Sequence, residues 1–424
     1  MALPSLTREY FRVGTWPIGA ARANTLMIEA FSTNEIDRLR AMTPGTRHRV
    51  HFNNAGAALM TTGVLSTVFD HLNLEADIGG YEAKAREVDR IEGVYRSVAR
   101  LVNADPEEIA LAENATVAWQ WAFYAQSFKA GDRILTTTAE YAANYLSYLQ
   151  VAKRTGAVIE LIPDDAEGRL DPGALDAMID ERVRLISITW VPTNGGLVNP
   201  AAEVGRIANA HGIPFLLDAC QAVGQLPVDV AQVGCDMLAA TGRKFLRGPR
   251  GTGFLYIKRA LLERTEPAMI DMYGATWAGG DRYKLRSDAR RFETWESNYA
   301  ARLGLGAAIE EALAIGIPRI EKRVKALAAS LREMLGDVPG VTVRDLGPNP
   351  AAITTFTLAS MDAAAVAARL AERAINVSVS APTSTPIDGE RRHLPDLVRV
   401  SPHYYNTESE LEQLVDAVRS LAGR

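Results

Sequence analysis

Met237-Leu238-Ala239-Ala240-Thr241 runs into Gly242-Arg243-Lys244-Phe245-Leu246-Arg247-Gly248, and a second apolar run, Gly253-Phe254-Leu255-Tyr256-Ile257, follows. The pattern reads strand, glycine-broken loop, strand, which is how a rigid scaffold presents a loop side chain to a ligand. Lys244 occupies the loop with Arg243 before it and Arg247 and Arg250 after it. An amine set among apolar residues and other cations has a lowered pKa, suited to a base or a Schiff-base nucleophile. The same arginines would suit a phosphate. Taken alone, the stretch fits a basic surface hairpin equally well, so the rest of the chain has to decide.

Upstream, short apolar runs alternate with helical patterns. Strands are expected at 109–111, 133–138, 158–162, 185–191 and 214–217, with helices at 115–128, 144–154, 175–179 and 201–211. Continuous apolar strands separated by helices indicate a largely parallel sheet covered on both faces. In such sheets ligands bind beyond the carboxyl ends of the strands. A helical region at 62–102, interrupted by Gly79-Gly80, precedes this set. After a Gly-, Arg- and aromatic-rich break at 271–291 come a helical stretch at 298–335 and a second α/β unit. Its strands are expected at 341–343, 353–358 and 375–379, and its helices at 363–373 and from Glu408. The expected organisation is an N-terminal arm at 1–47 with one helix at 33–42, a large domain at 48–290, and a smaller C-terminal domain at 291–424 that the arm could complete.

Composition narrows the function. A net charge of -5 provides no basic field for nucleic acid. No apolar run approaches the roughly 18 residues needed to span a bilayer. Two cysteines, Cys220 and Cys235, exclude a disulfide framework, and six scattered histidines show no metal-ligand spacing. The first residues lack the charged start and apolar core of a signal peptide. A cytoplasmic protein with no metal, nucleic acid or membrane partner is expected.

Several polar residues fall at strand ends, where they could converge. Ala115 and Thr116 follow a strand and open a helix, so free backbone N–H groups and the Thr116 hydroxyl could hold a phosphate; an ordinary helix cap fits as well. Tyr141 follows another strand and could stack on a planar ring. Asp218 ends the strand 214–217 at the edge of an apolar core and needs a partner. A protonated heteroaromatic nitrogen would serve, as would an internal ion pair or a helix cap. Asn194, in Pro192-Thr193-Asn194-Gly195-Gly196, and Gln221 could hydrogen-bond a ring hydroxyl. Arg399 lies inside the apolar run Leu397-Val398-Arg399-Val400, where a buried guanidinium calls for a carboxylate from protein or ligand.

In this order, the segments Asn-Ala-Thr, Glu-Tyr, Thr-Asn-Gly-Gly, Asp-Ala-Cys-Gln, Thr-Gly-Arg-Lys and Arg-Val-Ser resemble the class V aminotransferase family of pyridoxal phosphate enzymes. That family includes cysteine desulfurases, selenocysteine lyases, isopenicillin N epimerase-like proteins and kynureninase relatives. The resemblance spans roughly residues 50 to 410. It implies an α/β fold of type I: a large domain with a mostly parallel seven-stranded sheet, plus a smaller C-terminal α/β domain. It makes Lys244 the Schiff-base lysine, Asp218 the partner of the pyridinium nitrogen, and Tyr141 the stacking ring. Asn194 and Gln221 would lie near the ring hydroxyl. Ala115, Thr116, Thr241 and Arg243 would hold the phosphate, and Arg399 the substrate carboxylate, with Asn54 and Trp295 also at the substrate. A homodimer with shared sites is implied, with Thr276 as the candidate that crosses between chains.

Three departures narrow the branch. Tyr141 and Arg243 stand where desulfurases commonly carry histidine, a version closer to the isopenicillin N epimerase-like branch. The loop 376–396 holds Ser378, Ser380, Thr383, Ser384 and Thr385 but no cysteine, and neither Cys220 nor Cys235 is placed to replace one. Trp295-Glu296 replaces a common Gly-Thr, so a remodelled substrate mouth is expected, with Tyr273, Trp277, His403, Tyr404 and Tyr405 as further candidates for its lining or for interdomain packing. The expected reaction is deprotonation at Cα by Lys244 and β-elimination from an S-substituted cysteine or its sulfoxide. Transamination or another deamination, epimerisation, and a catalytically silent binding protein are the alternatives.

Overall fold

The structure, a computed structural model, describes residues 30–423; the first part of the expected N-terminal arm lies outside them. The helix expected near 33–42 is present as Thr33–Ala41, held by a capping box between Ser32 and Glu35.

Seven strands form the main sheet. In spatial order they are Ile109–Ala112, Gly253–Ile257, Met237–Thr241, Phe215–Asp218, Val183–Thr189, Arg133–Thr136 and Val158–Leu161. Only Gly253–Ile257 runs antiparallel to its neighbours; the other pairings are parallel. Successive residues alternate between two apolar cores, as the two-residue period of a strand requires. Leu217, Leu238 and Phe254 point to one core, while Leu216, Met237 and Leu255 point to the other. Both faces are therefore dry, which explains the uninterrupted apolar runs of the sequence.

A second, antiparallel sheet has the order Val341–Val343, Thr354–Leu358, Leu397–Val400 and Ser378–Ser380. The expected strand at 375–379 is split, because Ile375–Asn376 instead pairs in parallel with Val50–His51. Leu303, Leu305 and Ile309 of the helix Tyr299–Ile315 pack into the first core. Leu327, Leu331 and Leu335 of the next helix, Ile317–Gly336, pack under the second sheet. That helix also packs against the first core, through Ile317, Ile320 and Val324. The break at 271–291 contains a short exposed hairpin, Ala275–Trp277 with Tyr283–Leu285.

Candidate active site

Beyond the carboxyl ends of the main sheet lies a cavity of about 370 Å³, within the range of small-molecule sites. Its wall carries Lys244, Arg243 and Thr241 from one loop, Asp218, Cys220 and Gln221 from a second, and Tyr141 and Asn144 from a third. Ala115 and Thr116 close one end and Thr193 lies nearby. Eight of the expected site residues thus meet in one place, joined by Cys220, Asn144 and Thr193, which the sequence pattern had not assigned to it.

The loop bearing Lys244 is held tightly. Its turn closes with Arg247 N–H donating to the Lys244 carbonyl at 2.9 Å, and Arg247 adopts a left-handed φ of 62°. The buried Arg247 guanidinium donates to the Tyr404 hydroxyl at 2.6 Å, to Thr43 Oγ1 at 2.6 Å and to the Leu59 carbonyl at 2.8 Å. From below, Gly224 leaves room: a Cβ there would lie 2.4 Å from the Phe245 carbonyl carbon. Burial holds the Lys244 amine below its ordinary value, with Cys220 and Asp218 opposing and Arg243 and Arg399 reinforcing. A neutral amine is the form that accepts a proton or attacks a carbonyl.

Asp218 ends its strand inside the protein, 6% exposed. Its Oδ1 accepts from the Cys220 N–H at 2.9 Å and its Oδ2 from Asn144 Nδ2 at 2.8 Å. Burial pushes the carboxyl up; these hydrogen bonds and Lys244 counter it. Asn144 also donates to Glu140 Oε1 at 2.8 Å. Glu140 is buried and collects donors from Thr136, Tyr141 and Thr189 as well. Burial, with the nearby Asp218 adding to it, leaves Glu140 pushed up to about 7 against its hydrogen bonds. Asn144 thus fixes Asp218 from behind. Its spacing of four from Glu140, at the start of the helix Ala142–Thr155, was the available signal.

At the far end the helix Ala115–Tyr124 is capped by Asn114, whose side chain accepts from Val117 N–H. The Ala115 and Thr116 N–H groups have no intrahelical partner and carry the positive end of the helix dipole. The strand residue Gly253 permits this approach, since a Cβ there would lie 2.7 Å from the Asn114 carbonyl carbon. Thr241 Oγ1 donates to the Thr252 carbonyl, and Arg243 Nη1 donates to the Gly56 carbonyl.

Arg399, on the second sheet, lies beside the cavity and meets its wall at Thr193. Its Nε donates to Ser378 Oγ at 3.1 Å and its Nη1 donates to Thr193 Oγ1. Among the described residues it has no carboxylate partner, and burial with Arg243 beside it brings the guanidinium down to about 10. An uncompensated buried cation is costly unless a ligand supplies the anion.

Other expected residues sit elsewhere. Asn194 is off the cavity wall: its Nδ2 donates to Thr385 Oγ1 at 2.9 Å and to the Ala381 carbonyl at 3.1 Å, and its Oδ1 accepts from Ser380 Oγ. Asn54 is fully buried and its amide is spent on the protein, donating to the Ser401 and His51 carbonyls and accepting from Tyr405. Thr276 lies on the exposed hairpin, and Trp295, 42% exposed, stacks edge-on with Tyr273; neither lines the cavity. His403, Tyr404 and Tyr405 are interior packing around Arg247 and form no mouth.

The family model for class V aminotransferases matches residues 50–414. The probable cysteine desulfurase of Methanothermobacter thermautotrophicus is 30% identical over 91% of this chain and 98% of its own length. The cysteine desulfurase of Shigella sonnei is 29% identical over 92% of this chain and 98% of its own. Among solved structures, the apo cysteine desulfurase of Thermococcus onnurineus NA1 superimposes with a TM-score of 0.85 at 26% identity, covering 94% of this chain and all of that one.

Pyridoxal phosphate fits the residues present. Gln221 Oε1 is buried on the cavity wall without a hydrogen-bond partner, which is where a ring hydroxyl would be received. A buried carboxylate, an amine whose burial disfavours its charged form and a helix N-terminus surround the same space. Among the described residues no cluster could hold a metal, and no helix is long and apolar enough to cross a membrane. On the family match, the fold and this donor set, the chain belongs to the class V aminotransferases, a family of pyridoxal phosphate-dependent enzymes.

Proposed function

We propose that this enzyme releases a thiol or sulfenic acid from an S-substituted cysteine or its sulfoxide by β-elimination. In this reading Lys244 anchors the cofactor, Asp218 keeps a proton on its ring nitrogen, Gln221 accepts its ring hydroxyl, and Tyr141 covers its face. Ala115, Thr116, Thr241 and Arg243 serve its phosphate. When bound, pyridoxal phosphate withdraws electrons from the substrate Cα. Arg399 receives the α-carboxylate bidentately and so turns the Cα–H bond toward Lys244. The Lys244 amine, lowered by its burial, removes that proton. The Cβ–S bond then breaks with its electron pair leaving on sulfur, and addition of water returns the carbon skeleton as pyruvate and ammonium.

One observation carries the choice of elimination. The segment 376–396, which holds Asn194 through Ser380, Ala381 and Thr385, presents hydroxyls and no thiol. The thiol that does line the cavity, Cys220, is pushed up by burial and so disfavoured as the thiolate that would accept a sulfur atom, whereas a leaving thiolate needs no acceptor. The relatives named cysteine desulfurases tie the pocket type to cysteine and hence to sulfur at Cβ.

The test is to supply S-substituted cysteines and their sulfoxides and assay pyruvate, ammonium and the sulfur product with no oxo acid present. Stoichiometric release, lost in Lys244→Ala, is expected. Turnover only with an added oxo acid would make the enzyme a transaminase, and recovery of the mirror-image amino acid alone would make it an epimerase.

A further inference from the structure

Between the strand that carries Arg399 and the loop that carries Lys244 lies the short turn Asn54–Ala57. It is bonded to both. On one side Asn54 Nδ2 donates to the Ser401 carbonyl at 2.7 Å, Ala55 N–H donates to Ser401 Oγ at 2.8 Å, and the Tyr405 hydroxyl donates to Asn54 Oδ1 at 2.6 Å. Ser401 is two residues beyond Arg399. On the other side Gln221 Nε2 donates to the Ala55 carbonyl at 3.1 Å, Arg243 donates to the Gly56 carbonyl, and Ala58 N–H donates to the Arg243 carbonyl at 2.9 Å. Arg243 adjoins Lys244. Asn54, Ser401 and Tyr405 are fully buried, so the bonds among these three do not compete with water.

The sequence suggested that Asn54 touches substrate. Its saturated amide argues for something else, and we infer that Asn54 is a positioning residue that sets the distance between the Arg399 guanidinium and the Lys244 amine. This rests on the reading of Arg399 as the carboxylate site. A substrate held by its carboxylate presents Cα to Lys244 only if those two groups keep a fixed separation, and the Asn54–Ala57 turn is bonded directly to both of their segments. Removing the amide takes away the donor to the Ser401 carbonyl and the acceptor of the Tyr405 hydroxyl proton. The strand and the loop then shift relative to each other, and binding through both ends at once is weakened.

The test compares ligands with and without the carboxylate. Cofactor-loaded wild type, Asn54→Ala and Tyr405→Phe are titrated with L-alanine and with ethylamine, following the change in the cofactor absorption. In the wild type alanine is expected to bind far more tightly. In Asn54→Ala that advantage is expected to shrink roughly tenfold or more, while the lysine-linked cofactor band persists. Tyr405→Phe removes only the hydroxyl and keeps the ring under Arg247, so it shifts the ratio in the same direction by less, and it decides the matter should Asn54→Ala not fold. If both ligands weaken equally and the ratio holds, Asn54 is merely structural and the inference is overturned. Neither ligand has a leaving group at Cβ, so the result is independent of whether elimination is the reaction.

Discussion

Replacing Arg399 by leucine separates what this residue does for binding from what it does for stability. The guanidinium is 9% exposed and lowered from its ordinary 12.5 to about 10. Keeping it charged in the empty site therefore costs about 3 kcal/mol. Its hydrogen bonds to Ser378 and Thr193 return about 1 kcal/mol each. Arg399→Leu removes the charge together with these bonds, so the ligand-free protein is expected to match the wild type or to gain about 1 kcal/mol, read by urea unfolding. The same variant is expected to lose about 2–5 kcal/mol of alanine binding, or roughly 30-fold to several thousand-fold in affinity. Most natural residues in a core stabilise it; this one is expected to be neutral or a burden until a carboxylate arrives. A loss of more than about 2 kcal/mol in the ligand-free variant would give Arg399 an internal structural duty and refute the reasoning. Unchanged alanine affinity would show that the carboxylate is held elsewhere.

Gly224 has φ 93°, and a Cβ there would lie 2.4 Å from the Phe245 carbonyl carbon and 2.6 Å from Leu246 N. Gly224→Ala is expected to cost about 2–4 kcal/mol in urea unfolding and to weaken cofactor loading, since the displaced backbone adjoins Lys244; a change under about 0.5 kcal/mol would contradict the close approach. Glu140 has its carboxyl raised from 4.5 to about 7, so between those values the folded protein holds a proton that the unfolded chain has lost, and stability falls as pH rises through the window. The full contribution is about 3 kcal/mol, and Glu140→Gln is expected to flatten that part of the cofactor-free stability profile, whereas an unaltered slope would place the titration in another group.

The alternation of strands and helices was legible because both sheet faces are buried, so each strand of the main sheet announces itself as an apolar run. The split at 375–379 was not, because Ile375-Asn376 and Ser378–Ser380 share one β-rich stretch and differ only in their partners. Lys244, Asp218, Gln221, Thr241 and Tyr141 could be read from strand ends, since the topology carries every carboxyl end of the parallel strands to one side. What strand-end position does not encode is which way a polar side chain turns. Asn194 and Asn54 have the same residue type and the same kind of loop, and both turn away from the cavity because Thr385, Ser380, Ser401 and Tyr405 from the far end of the chain offer them complete hydrogen bonding. Cys220 and Asn144, which do face the cavity, were unassigned because each fits an ordinary turn or helix start.

Hydrogen-bond satisfaction therefore discriminates better than residue identity. Once bonds within the protein are counted, the Lys244 amine has the Cys220 thiol beside it, and the unmet groups on or beside the cavity among the described residues are Gln221 Oε1, the first N–H groups of the helix at Ala115, and a guanidinium without an anion. Buried polar groups without partners are expensive, and these line one space of about 370 Å³, with the guanidinium beside it at Thr193. Their chemistry asks for an electrophilic carbonyl, a hydroxyl, a phosphate and a carboxylate. The cofactor provides the first three. On the proposed reading the fourth comes from the substrate, which makes discrimination between an amino acid and its amine, more than turnover, the property on which that reading stands or falls.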